Sequence, residues 1–116
     1  MLFSEAIRLG SMLKPQGKGL FSSFPDHPKT CAMGAAAEAV GVTECAHYSL
    51  GNIFPVLKEE ISHPEQEGIK CKVSWAIWQL NDMYDWSRER IADWVEEIER
   101  DTARRRESVN EAVESK

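Results

Sequence analysis

No stretch of this chain stays apolar and uncharged over the ~20 residues that a membrane helix requires. Cysteine is scarce: three residues, an odd number, at Cys31, Cys45 and Cys71, with no tight CxxC pair. That pattern disfavours the paired framework of a secreted disulfide protein. Glu5 stands ahead of any apolar run, which is not the layout of a signal peptide. A soluble protein of a reducing cytoplasm is the expectation. A phosphate-binding loop, a dinucleotide fingerprint and a nucleophile motif are all missing, so neither enzymatic activity nor a cofactor is expected. Basic charge is in deficit, with 14 Lys and Arg against 19 Asp and Glu and a net charge of −5. Such a balance argues against a surface dominated by phosphate contacts. No internal repeat is present.

What is present is a chain of 116 residues, 42% of them hydrophobic, enough for one core without staples. The sequence reads as mainly α, a single compact domain of about five helices over residues 1–100. One short strand is expected near residues 69–73, and residues 101–116 form a charged C-terminal extension, helical or frayed.

All four tryptophans lie between Val73 and Arg100, the stretch around which the rest is organised. Ile91, Trp94, Val95 and Ile98 recur at i, i+3, i+4 and i+7, one face of an α-helix. Asp93, Glu96, Glu97 and Arg100 fall on the opposite side. Ser87 is placed to cap this helix, and Glu89 sets a negative charge near its N-terminus. The spacing predicts a helix from about Ser87 to Arg100. Ahead of it, Val73, Ala76, Ile77, Leu80 and Tyr84 line one face of a helix from about Ser74 to Asp82. Cys71, Trp75 and Trp78 then take the other face. Ile69 to Ser74 alternates with the period of a half-buried strand, and no other segment alternates as well to pair with it. Asn81, Asp82 and Asp85 supply turn chemistry between the two helices.

Leu2 to Lys14 predicts an amphipathic helix with Phe3, Ala6, Ile7 and Met12 inward, and Leu9 and Leu13 widening the stripe. Ser4 is its expected N-cap, and Pro15 and Gly17 its stop. Pro15 to Lys29 reads as a long connector pinned to the body through Leu20, Phe21 and Phe24. Thr30 to Val40 predicts an alanine-rich helix stopped by Gly41. Its small side chains let neighbouring backbones come close, which places it at the centre. Glu38, its only charge, is expected at a water-facing edge, because burial would demand a partner. Val42 to Ser49 reads as a connector. Gly51 to Ser62 reads as a helix that begins near Asn52 or Ile53, so that Pro55 falls in its first turn. Ile53, Phe54, Leu57 and Ile61 would face inward, and His63 to Gly68 would form a polar loop.

Cys45, His47, His63 and Cys71 make a set of zinc ligands on paper. Structural zinc sites use close C-x2-4-C or H-x3-5-H pairs, whereas the spacings here are C-x-H and H-x7-C. The plainer reading is that the cysteines are small buried hydrophobes. Trp75 and Trp78, with Trp86 in the turn, form either an apolar patch of the kind that marks an interface or core filler. Arg88 and Arg90 beside tryptophan faces would suit a nucleotide, through stacking and guanidinium–phosphate bonds. A helix–turn–helix over Leu80–Val95, supported by Arg88, Arg90, Arg104, Arg105 and Arg106, is a third reading. The acidic outer side of the last helix opposes it.

The strings CAMGAAAEAVG (Cys31 to Gly41), QLNDMYDWSRERIADWVEEIE (Gln79 to Glu99) and SEAIRLGSMLKPQG (Ser4 to Gly17) together cover most of the chain. They resemble a group of small uncharacterised bacteriophage and prophage proteins, whose mark is the LND…WSRE-x-IADWV string. The resemblance brings no catalytic or binding residues. In that group a Cys-Pro-containing zinc-like pair can precede the LND segment; this chain departs from it, with His63-Pro64 and a lone Cys71 there. It implies a virion accessory, an inhibitor of a host protein or a sponge for signalling nucleotides, each acting as a compact oligomer. The expectation is therefore a non-enzymatic protein that binds itself, a host protein or a virion protein. A nucleotide ligand comes second and nucleic acid third.

Overall fold

In a computed structural model of the chain, the residues described are 1–18, 28–42 and 46–114, with backbone alone for 46–49 and 108–114. The fold is mainly α, with one short two-stranded sheet. Its order is α1 (Phe3–Ser11), α2 (Ala32–Ala39), α3 (Ala46–Ile53), a 3-10 turn (Pro55–Lys58), β1 (Glu60–Ser62), β2 (Lys70–Lys72), α4 (Val73–Asp82) and α5 (Arg88–Glu114).

α2 is the centre. Ala32 to Ala37 are all buried, and α1 lies directly against them. A methyl group at Gly10 would overlap the carbonyl of Ala35, so the two backbones meet because neither side chain keeps them apart. Cys31 caps α2, its Sγ accepting from the Gly34 amide at 3.3 Å. Gly41, at φ +75°, ends the segment as expected. Glu38 does not face water. Its side chain is 14% exposed and paired with the ammonium of Lys14, the partner that burial required.

Phe3, Ala6 and Ile7 enter the core, but α1 stops at Ser11, short of Lys14. Met12 and Leu13 lose the helical phase beyond that point and, like Leu9, are exposed. Leu2 occupies the N-cap position assigned to Ser4. Ser4 is instead buried within the first turn and donates to Glu99 at 2.6 Å, while the Phe3 amide donates to the same carboxylate at 2.9 Å. A carboxylate from α5 thus satisfies the start of α1. Arg8 ties the two helices again, to Asp93 at 2.7 Å, Glu96 at 2.9 Å and Glu89 at 3.3 Å.

The predicted helix over Gly51 to Ser62 is replaced by three elements, and the preceding connector is already helical from Ala46. Pro55 accounts for this: it lacks an amide donor and forces the residue before it out of the helical region. Phe54 accordingly sits at φ −120°, ψ 91°. Phe54 and Leu57 are buried as expected, but Ile53 is exposed. The chain then turns into β1, which supplies the mate for the strand near residue 71. The two are antiparallel, with Ile61 opposite Cys71, and His63 to Gly68 forms the hairpin loop. A strand of three residues (Glu-Ile-Ser) is too short for its alternation to register in the sequence. The anchors Leu20, Phe21 and Phe24 lie outside the described residues.

Val73, Ala76, Ile77 and Leu80 bury one side of α4, as do Ile91 and Val95 on α5, with Trp94 and Ile98 partly buried against the core. Ser87 caps α5, accepting from the Arg90 amide at 3.1 Å. The helix passes Arg100 and continues to Glu114. No glycine or proline interrupts residues 100–114, and Arg100–Glu96 and Arg104–Asp101 pairs support the exposed turns.

Candidate functional site

α4 carries the candidate face. Trp75 is 52% exposed and Trp78 half-buried; their rings lie 4.9 Å apart between centroids at 55°. That spacing is favourable for a tilted aromatic pair, so the Trp78 ring packs against its neighbour. Ile69 and Met83 are exposed at the two ends of the same segment. Helical phase explains the placement: Val73, Ala76, Ile77 and Leu80 claim the inner side, and the indoles take what is left.

Trp86 is not part of this patch. It is 7% exposed, and its amide donates to the Leu80 carbonyl at 2.9 Å. The Arg90 guanidinium lies 3.8 Å from the centre of its ring, a cation–π contact within the chain. Arg88 turns inward. It is 8% exposed and donates to Thr30 Oγ1 at 2.7 Å and to the carbonyls of Lys14 and Ser11 at 2.8 and 3.4 Å. Burial depresses its pKa, against a smaller opposing effect of Cys31. Arg88 is therefore committed to internal contacts, whereas Arg90 is exposed and lies over Trp86 rather than beside the Trp75/Trp78 pair.

Arg88 belongs to a polar seam whose hub, Asn81, the sequence assigned to a turn. Asn81 Oδ1 accepts from Gln16 Nε2 at 3.0 Å and from the Ala32 amide at 3.2 Å. Its Nδ2 donates to the Gly17 carbonyl at 2.9 Å and to Asp82 at 2.7 Å. Gln16 also donates to the Trp86 carbonyl and accepts from the Arg88 amide. Every polar atom of the Asn81 amide has a partner, which is the condition for burying it.

Of the paper zinc set, Cys45 and the side chain of His47 lie outside the described residues. His63 Nδ1 accepts from the Glu65 amide at 3.0 Å, which leaves Nε2 to donate to Gln79 Oε1 at 2.8 Å. Both ring nitrogens are thus occupied in holding the hairpin loop to α4. Burial, and then the charge of Glu60, push the Cys71 thiol up, away from the thiolate that a metal or an electrophile needs. Among the described residues no three His, Cys, Asp or Glu side chains are grouped to hold an ion. No described helix is long and apolar enough to cross a membrane. No family model, curated protein or solved structure matches the chain.

Proposed function

We propose that this chain is a non-enzymatic interaction protein that self-associates through the Trp75/Trp78 face. Its role is that of a virion accessory or an inhibitor of a host protein, as the resemblance to small phage proteins implies. The observation that carries the proposal is the exposed indole of Trp75, packed on one side against Trp78. An aromatic side chain held half in water by a second ring loses little freedom on binding and gains a large desolvated area. Tryptophan is also enriched among the residues that dominate interface energy. The nucleotide reading comes second: Arg88 is used inside the fold, and the exposed Arg90 over the Trp86 ring is the cation left to it.

Sedimentation velocity across the micromolar range tests the proposal. Self-association is expected for the native chain, weakened at least about tenfold by Trp75→Ala. A native chain that stays monomeric throughout would defeat the self-associating form; Trp75→Ala associating like the native chain would remove the face from it.

A further inference from the structure

A cleft of about 230 Å³ opens where the N-terminus of α1, the bend after α3 and the outer part of α5 meet. Pockets for drug-sized ligands run to about 300–1,000 Å³, so this one suits a single large side chain better than a cofactor. Leu2, Ile53, Val56 and Ala103 supply apolar walls, and Glu59, Glu99 and Arg106 are the charged members of the lining. Leu2 and Ile53 are exposed, which leaves aliphatic surface for an occupant to cover.

The geometry points to Trp75 of a second copy of this chain as that occupant. The inference rests on self-association through the aromatic face and names what that face meets. Trp75 does not line the cleft of its own chain, although the two are neighbours: the Val73 amide, two residues before it, donates to the Glu59 carbonyl at 2.9 Å. The apolar walls receive the ring, and Arg106 stacks on it as Arg90 already stacks on Trp86 at 3.8 Å. The indole N–H needs an acceptor when buried, and the Glu59 carboxylate provides one. Charge agrees: exposed Lys70 and Lys72 immediately precede α4, and Glu59 borders the cleft. None of these three has an ion-pair partner among the described residues. A knob on one surface and a hole on another join two copies either by reciprocal exchange about a two-fold axis, which uses both contacts, or head to tail, which leaves a free knob and a free hole at the ends.

Complementation of two surface variants provides the test. Trp75→Ala keeps the hole and loses the knob; Ala103→Trp keeps the knob and fills the hole. Each alone is expected to be monomeric, with association weakened at least about tenfold. Their equimolar mixture is expected to form a dimer and stop there, because the pair has used its one intact knob and its one intact hole. The native chain is expected to associate through the same contact, stopping at a dimer if the exchange is reciprocal and growing further or closing into a ring if it is head to tail. If Ala103→Trp associates like the native chain while Trp75→Ala does not, the cleft is not the receptor, and the aromatic face stands without it. A mixture that stays monomeric overturns the docking, and a Trp75→Ala chain that associates normally overturns both readings. Thermal melts check that the variants fold, and Ile53→Arg serves as a second block of the same cleft.

Discussion

Asn81 and Trp75 stand six residues apart on one helix, yet the amide is 1% exposed and the indole 52%. Burial here follows available partners rather than polarity. The inner side of α4 reaches the start of α2, where the Ala32 amide has no acceptor within its own helix, and Asn81 supplies one. Gln16, the Gly17 carbonyl and Asp82 complete its bonding. A buried polar group so satisfied costs little, and a half-satisfied one costs a great deal. Trp75 has one aromatic neighbour within the chain and open solvent beyond it. The seam is closed within the fold, and the face is not.

The harshest way to break the contrast is Asn81→Ala. It leaves the Ala32 amide and the Gly17 carbonyl without their partner and empties space in a buried seam. At roughly 1–3 kcal/mol for each stranded group, the expected loss is about 3 kcal/mol or more. Urea unfolding followed by circular dichroism would measure it; a loss below about 1 kcal/mol would mean that water replaces the side chain without penalty.

Arg88→Met is the next largest. The guanidinium gives up Thr30, Lys14 and Ser11, but removing the charge also removes its desolvation cost, the same cost that depresses its pKa. The two partly cancel, so about 2 kcal/mol is expected. A variant as unstable as Asn81→Ala would show that the arginine, not the asparagine, is the hub. Glu99→Ala should lie below both, at about 1–2 kcal/mol, since it removes a half-exposed acceptor from the first turn of α1. Amide hydrogen exchange should localise the loss to residues 3–7.

The outer half of this contrast was legible in the sequence and the inner half was not. Helical phase alone separates Val73, Ala76, Ile77 and Leu80 from Trp75 and Trp78, because that phase is a local property of the chain. The same holds for the Ser87 cap, the Gly41 stop and the close approach allowed by the alanines of α2. Asn81 instead looked like a turn residue, because its actual partners lie 65 residues away at Gln16 and 49 away at Ala32. Arg88 and Glu38 failed for the same reason: Thr30 and Lys14, which make their burial tolerable, share no pattern with them. A three-residue strand and a proline-driven break between α3 and β1 were likewise below what periodicity can resolve.

Trp75→Ala should have the smallest effect on folding of the four and the largest on association. The indole loses a partly exposed surface and a tilted contact with Trp78, worth roughly 0.5–1.5 kcal/mol when such a pair is buried and less at a wet site. A loss under about 1 kcal/mol is therefore expected in the same urea experiment, provided that the measurement is made at concentrations where the chain is monomeric. That condition matters, because association stabilises the native chain by mass action and would otherwise exaggerate the effect. Repeating the melts at rising protein concentration separates the two contributions: the native midpoint should climb, and that of Trp75→Ala should stay flat. Equal climbing in both chains would place the association surface elsewhere, and a flat native midpoint would mean that the exposed indole meets no second copy.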